Sequence, residues 1–438
     1  MFLTGTQRVD EQGHLTIGGC SCVDLAREFG TPLYVMDEAA VRTRCREYTS
    51  AWGEAFEKYH IAFAGKAFLN KAICKLIAQE GMWLDVASGG ELYTALQAGF
   101  PPERIHMHGN NKSADEIAMA LDGGVARVIV DNTRELETLN AMAMKSGKKA
   151  AIQIRVAPGI DPHTHEYIST GQVDTKFGMW ITDGVIPASE GAAMQALMMA
   201  EKMEGIDLRG IHAHVGSQLF DLSCIYMSAE IMLELASAFR DASGHPLEEL
   251  NIGGGLGIRY RWMERPLGIR EFANELARIL RAECEKLHLD MPTIQAEPGR
   301  SIVGEGGTTL YTVGSMKSIP NVREYICVDG GLADNPRPQL YDAKYEAILA
   351  NKADKKPVRI YAVAGKHCET DVLIHEAPLP DVEPGDVLAV LSTGAYNQSM
   401  ASNYNRLPRP ACVFVQDGRA RLVTRRETYE DMMLTEVG

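Results

Sequence analysis

The sequence predicts an α/β chain, a (β/α)8 barrel joined to a second, all-β domain. Three observations lead there. Eight short apolar runs alternate with segments of helical spacing between roughly residues 60 and 300. A polar or glycine residue follows every one of those runs. From about Thr308 the alternation gives way to strands broken by Gly, Pro, Asn and Asp turns.

Taken in order, the first thirty or so residues carry Gly13, Gly18, Gly19 and Gly30 among short mixed runs and read as strand and turn. LYVMD (Leu33 to Asp37) reads as a strand, with a helix over roughly Glu38 to Phe56. The eight expected barrel strands are His60–Ala64, Met82–Ala87, Ile105–His108, Arg127–Val130, Ala150–Val156, Leu208–Val215, Leu250–Ile252 and Thr293–Ala296. The expected helices between and after them include Lys71–Gln79, Glu91–Gln97, Arg134–Lys145, Ala188–Met203 and Ile269–Leu287. Periodicity alone leaves a doubly wound sheet open as the alternative. Beyond Thr308, runs such as REYICVDGG, VRIYAVAG and DVLAVLSTGAY read as the all-β domain. The expected division is residues 34–305 for the barrel, with 1–33 and 306–438 for the β domain.

Composition narrows the class of function. A net charge of −14 argues against a nucleic-acid surface or an anionic membrane as partner. The nine cysteines are odd in number and lack the paired CxxC spacing of a zinc ribbon, which fits reduced thiols and a cytoplasmic protein. The N-terminal MFLTGTQRVDEQG has no apolar core of a signal peptide, and no window approaches a membrane span.

Chemistry on a barrel of this kind sits at the C-terminal ends of the strands. In order those ends carry Lys66; Ser88 and Glu91; Asn110, Asn111 and Lys112; Asp131; Arg155; His212 and His214; Gly253, Gly254 and Gly255; and Glu297 with Arg300. Lys66 closes the buried run Ile61–Ala64, where a lysine either snorkels to the surface or offers its amine for a Schiff base. Alone, the first reading is the better one. The NIGGGLGI loop lets backbone N–H groups approach an anion and, with the EPGRS loop, suits a phosphate. A tight turn explains the glycines equally well. His212 and His214 lie two apart, so they share a face and could bind metal, which gives a metal-dependent hydrolase as the rival. That reading needs ligands at other strand ends, and His163 with His165 falls in a loop. A lysine amine, a phosphate nest, a flat histidine and a carboxylate at the last strand together describe a pyridoxal phosphate site, with no metal.

The motifs DVASGGE (Asp85–Glu91), GNNKS (Gly109–Ser113), STGQVDTKFG (Ser169–Gly178), GIHAHVGSQ (Gly210–Gln218), NIGGGLG, EPGRSIV, RPQLY (Arg337–Tyr341), GAY (Gly394–Tyr396) and SNYNRLPRP (Ser402–Pro410) carry a resemblance over nearly the whole chain. It resembles the fold-type III pyridoxal phosphate decarboxylases, the ornithine, arginine and diaminopimelate decarboxylase family, and most of all its diaminopimelate branch. The resemblance implies an alanine racemase-like barrel with a β domain, pyridoxal 5′-phosphate as cofactor, and a homodimer with shared active sites. It implies decarboxylation of meso-2,6-diaminopimelate to L-lysine and carbon dioxide, as a step of lysine biosynthesis. A relative acting on carboxynorspermidine, ornithine, arginine or a carrier-bound substrate is the alternative, with a non-catalytic homologue further off.

The same resemblance implies roles. Lys66 is the Schiff-base lysine, and His214 stacks on the cofactor. Ser217, Gly253, Gly254, Gly255, Arg300 and Tyr396 bind the cofactor at its phosphate end, and Glu297 pairs with the pyridine nitrogen. Arg300, Arg337, Tyr341, Glu369 and Tyr396 bind substrate, with Glu369 taking the far amino group. Cys368 reaches in from a second subunit as the proton donor. Glu369 stands where ornithine-type relatives have Asp, which favours diaminopimelate. The chain departs from the family at Lys66-Ala67-Phe68, where Lys-Ala-Asn is usual, and at CETD (Cys368–Asp371), which is one residue short.

Overall fold

The structure is a computed structural model that describes residues 2–160, 175–182 and 187–437. The chain divides into two compact units, Cys45–Gly257 with Pro266–Gly299, and Met1–Arg44 with Ile258–Arg265 and Arg300–Gly438.

The first unit is a barrel. Its strands are β1 (Tyr59–Ala64), β2 (Trp83–Val86), β3 (Ile105–Met107), β4 (Arg127–Val130), β5 (Ala150–Ala157), β6 (Ile206–His212), β7 (Glu249–Asn251) and β8 (Thr293–Ala296). Each lies parallel to the next, and β8 returns to β1 with Ala296 opposite Ile61. Such closure excludes the open doubly wound sheet. Strands covered on both faces have no reason to alternate polar and apolar residues, so Ile61–Ala64 is buried throughout. At Gly210 the packing admits no side chain, because a Cβ there would lie 2.0 Å from the Glu249 carbonyl oxygen.

Helices begin where the turns supply caps. The Asn70 side chain accepts from the N–H groups of Ala72 and Ile73 to start Lys71–Gln79. Ser88 caps Gly89–Gln97, Ser113 and Glu116 form a capping box on Ala114–Gly123, and Asn132 caps Thr133–Lys145. Part of the polar pattern at the strand ends therefore serves helix initiation. The expected helix at Ala188–Met203 is a single 3-10 turn, Ala188–Glu190, followed by a helix over Ala192–Ala200.

The second unit is built on a sheet whose strands run in the order Val372–Leu379, Arg359–Ala364, Arg323–Val328, Gly307–Ile319, Leu33–Asp37, Ala411–Gln416 and Arg419–Thr424. Val387–Val390 adds to Gly307–Ile319 and carries Ala347–Leu349 beyond it. Two apolar clusters fill the unit, one around Tyr311, Ile326 and Leu373 and one around Leu15, Leu33 and Val413.

Two expectations are corrected. Cys22–Phe29 is a helix, capped by Ser21, although the glycines around it suggested strand and turn; its apolar Cys22 and Leu25 lie three apart and are buried together. The strand Leu33–Asp37 pairs with Gly307–Ile319 and Ala411–Gln416, so it stands in the second unit and not in the barrel, as does Ile258–Arg265.

Candidate active site

The barrel mouth opens on a cavity of about 600 Å³. Lys66, in the turn Gly65–Ala67 after β1, presents an exposed amine to it. Asp85, His108, Arg155, His214 and Ser217 line the same cavity. Phe68, in place of the usual asparagine, is buried in the barrel unit while Asn70 caps the next helix.

Behind His108 lies Glu297, just past the end of β8 and 6% exposed. Its carboxylate collects four donors. His106 Nδ1 (3.3 Å), His108 Nε2 (2.9 Å) and Asn251 Nδ2 (2.7 Å) converge on Oε1. His212 Nε2 donates to Oε2 at 3.0 Å. Burial works against the charge on this carboxyl, but the surrounding histidines outweigh it and hold the group well below the ordinary glutamate range. Burial in turn lowers His108 and His212, so both donate as neutral rings. For His212 the tautomer follows: with Nε2 donating to Glu297, its Nδ1 is a bare lone pair, which finds no hydrogen-bond partner among the described residues.

His214 lies just beyond β6. Burial first, then the charges of Lys66 and Arg155, push its imidazole well below the ordinary histidine range. Its Nδ1 accepts the Gly254 N–H at 3.2 Å. The Gly253 N–H goes to Asn251 Oδ1 at 3.0 Å, so two donors of the expected phosphate nest are engaged by side chains. The glycines are sterically required as well. A Cβ at Gly254 would lie 2.3 Å from the Glu297 carbonyl oxygen, and one at Gly253 would lie 2.5 Å from that of Ala213.

Other strand-end residues serve the scaffold. Ser88 and the Glu91 carboxylate, which accepts the Ala87 N–H at 2.7 Å, fix a helix start. Lys112 is turned inward, donating to Glu135 (2.6 Å) and to the Gly109 and Ile129 carbonyls. Asp131 lies 3.8 Å from Arg155, whose guanidinium sits over the Phe177 ring. His163 and His165 lie outside the described residues.

In the second unit, Arg300 and Arg337 are both buried and stand over one ring, Tyr396, at 4.8 and 5.3 Å. Arg300 donates to the Tyr260 hydroxyl at 2.6 Å, and Arg337 to that of Tyr345 at 3.1 Å. Tyr341 is exposed, 5.4 Å from the Arg337 guanidinium. Cys368 is exposed, with its N–H on Asn405 Oδ1, and Glu369 accepts from the Tyr404 hydroxyl at 2.7 Å. The CETD and SNYNRLPRP segments therefore meet.

Sequence reasoning missed Asp85, Asn251, His106 and His108. The signal for the histidines was present: His106-Met107-His108 repeats on β3 the spacing that singles out His212 and His214. With Glu297 they form a group of metal-ligand type. In the structure the two histidines turn His106 Nδ1 and His108 Nε2 onto the same Glu297 oxygen, Oε1, as hydrogen bonds. For a pyridoxal site the donor set fits: an open amine, an ionised buried carboxylate, a half-buried imidazole and a glycine loop.

Comparison with known proteins agrees. The family profile "Pyridoxal-dependent decarboxylase, pyridoxal binding domain" matches residues 42–304. The chain is 47% identical over 434 residues to a diaminopimelate decarboxylase of Bacillus subtilis, covering 99% of this chain and 97% of that one. It is 40% identical to the enzyme of that name from Staphylococcus aureus, covering 98% and 99%. A solved diaminopimelate decarboxylase from M. jannaschii, in complex with L-lysine, superposes with a TM-score of 0.90 at 34% identity, covering 99% and 98%.

Asp85 supplies a test of the cavity's electrostatics. Burial raises its carboxyl from 3.8 to about 6, against the lowering effect of His108. A raised acid pKa means that the folded protein holds this proton more tightly than the unfolded chain. The resulting penalty is absent below pH 3.8 and complete above about pH 6. In cofactor-free protein, Asp85→Asn should therefore gain about 3 kcal/mol over wild type at pH 7 and well under 1 kcal/mol at pH 4. Thermal unfolding across that range checks it.

Proposed function

The chain belongs to the pyridoxal-dependent decarboxylases, and within them to the diaminopimelate decarboxylases, and from that premise we propose how its own residues carry the reaction. The reaction is the decarboxylation of meso-2,6-diaminopimelate to L-lysine and carbon dioxide, with pyridoxal 5′-phosphate as cofactor. Bound pyridoxal phosphate supplies an electron sink for the pair left behind as the carboxylate departs.

The observation that carries the reading is an exposed lysine amine at the barrel mouth together with an ionised, four-donor carboxylate behind it. Lys66 would hold the cofactor through its side-chain amine. Glu297 would favour a protonated pyridine nitrogen, which its low pKa allows because the carboxylate takes no proton for itself. His214 offers a flat neutral ring for stacking. Ser217, Gly255 and Tyr396 bind the phosphate, with Gly253 and Gly254 shaping the loop. Arg300, Arg337 and Tyr341 bind substrate carboxylate, and Glu369 the far ammonium. That mixture of cations and an anion suits a substrate with a carboxylate and an amino group at each end, whereas a diamine-forming relative needs no arginine at the far end. Cys368 returns a proton to the carbon that has lost its carboxylate. We place the enzyme in the cytoplasm as a homodimer in which Cys368 and Glu369 serve the partner's Lys66.

Supplied with cofactor and a panel of amino acids, the protein should release carbon dioxide from meso-diaminopimelate and accumulate L-lysine. Lys66→Ala should lose both this activity and the visible absorbance of the lysine-held cofactor. Preference for ornithine, arginine or lysine would overturn the substrate assignment.

The shared site has its own test. Inactive Lys66→Ala chains mixed with inactive Cys368→Ala chains should regain activity through hybrid dimers. Proven subunit exchange without recovery would place each site within one chain.

A further inference from the structure

The barrel interior holds a continuous column of polar side chains where branched apolar residues usually fill such a barrel. From Glu297 it descends through Asn251 to Gln153 and Gln295, then to Glu249, and ends at Arg127. Gln153 Nε2 donates to Glu249 and to Gln295 Oε1, each at 2.8 Å, and the Arg127 guanidinium grips Glu249 with Nε at 2.9 Å. His60, stacked on Trp83 at 3.9 Å, touches the column at Gln295.

Asn251 is the link in this column that reaches both the Glu297 carboxylate and the glycine loop. It is fully buried at the end of β7. Its Nδ2 gives Glu297 the shortest of that carboxylate's four hydrogen bonds, 2.7 Å, and makes longer contacts of 3.4 Å with Gln153 and Gln295. Its Oδ1 accepts the N–H of Gly253, the first glycine of the phosphate loop. The Glu297 N–H donates in turn to the Gly253 carbonyl at 2.7 Å. Gly253 and Glu297 are thus clasped twice, once through backbone and once through one amide.

We propose that Asn251 is a positioning residue for the cofactor, fixing the carboxylate for the pyridine nitrogen and the loop for the phosphate at a set separation. This rests on the assignment of Glu297 and the glycine loop to those two ends. The chemistry of the position selects an amide. It must donate to a charged acceptor and accept from a backbone N–H, and a side chain of this length can do both only as asparagine. A carboxylate could only accept, and leucine could do neither. Gln153 and Gln295 hold the amide in that orientation from below. Because Oε1 already takes three donors and Oε2 one, Glu297 keeps acceptor capacity on Oε2.

The test uses the full-length chain. Asn251→Asp retains the acceptor for Gly253 but donates to Glu297 only when the new carboxyl is protonated. Pyridoxal 5′-phosphate is titrated into cofactor-free protein, following the visible absorbance, with thermal unfolding measured in parallel. Loss of one hydrogen bond to a charged group should weaken cofactor binding about tenfold or more at pH 8. Affinity should recover as the pH falls, while the unfolding temperature of the cofactor-free protein changes far less. The groups facing Glu297 (His106, His108 and His212, with Asp85, Arg155, His214 and Lys66 around them) are common to both proteins, so the pH profile of wild type subtracts their titration. Asn251→Ala should weaken binding similarly with no such recovery, and it carries the test if the aspartate variant fails to fold. Wild-type affinity in both variants, or weakening that only follows lost stability, overturns the proposal. Glu297→Gln separates the two levels: if it binds and turns over like wild type, the assignment of Glu297 itself fails. Impairment in Glu297→Gln with intact Asn251 variants sinks the positioning role alone.

Discussion

A buried carboxylate is the constraint on which the barrel unit depends. Leaving Glu297 ionised and unpaired in the interior would cost more than the whole protein's stability margin, on the order of tens of kcal/mol before relaxation. The chain offsets this with four donors, the Asn251 amide and three imidazoles, of which His108 and His212 are held neutral by their own burial. Neutral donors matter, because they stabilise the charge without cancelling it. The barrel therefore keeps a negative carboxylate bonded to His108, which lines the cavity together with Lys66 and Arg155. A ligand that brings a cationic ring nitrogen meets an electrostatic partner already formed.

That requirement propagates through the barrel. Each donor needs support in turn, so the interior fills with amides and with the Glu249–Arg127 pair, and the apolar layers move to the outer face of the strands. Fixing the donors demands close strand approach, which explains Gly210 against the Glu249 carbonyl and Gly254 against that of Glu297. In the second unit a comparable economy appears. Two buried arginines share the face of Tyr396, and each donates to a tyrosine hydroxyl, Arg300 to Tyr260 and Arg337 to Tyr345.

The eight strands were legible because buried parallel strands are short, apolar and evenly spaced, and that pattern needs no knowledge of neighbours. Lys66, His214 and Glu297 were legible because each ends or follows such a run. The polar residues at the remaining ends were harder to sort, since a serine or asparagine after a strand caps a helix as readily as it binds a ligand; Ser88 and Asn132 do the former. His106 and His108 escaped because one sits within β3 and the other just past its end, where side-chain alternation hides an inward-facing polar residue among apolar neighbours. Asn251 escaped for a further reason: its meaning lies in reaching Glu297, 46 residues away in sequence, and Gly253 at once. The helix Cys22–Phe29 was masked by flanking glycines that belong to turns on either side of it.

The most direct test of this account is the ionisation state of Glu297 itself. Cofactor-free wild type and Glu297→Gln, both labelled with carbon-13 at the glutamate side-chain carboxyl, would be compared by infrared difference spectroscopy across acid and neutral pH. The account predicts a carboxylate band at pH 7 that survives below the ordinary glutamate value of 4.5. A protonated-acid carbonyl band assigned to Glu297 at pH 7 would contradict it, because the four donors would then surround a neutral acid and not a carboxylate.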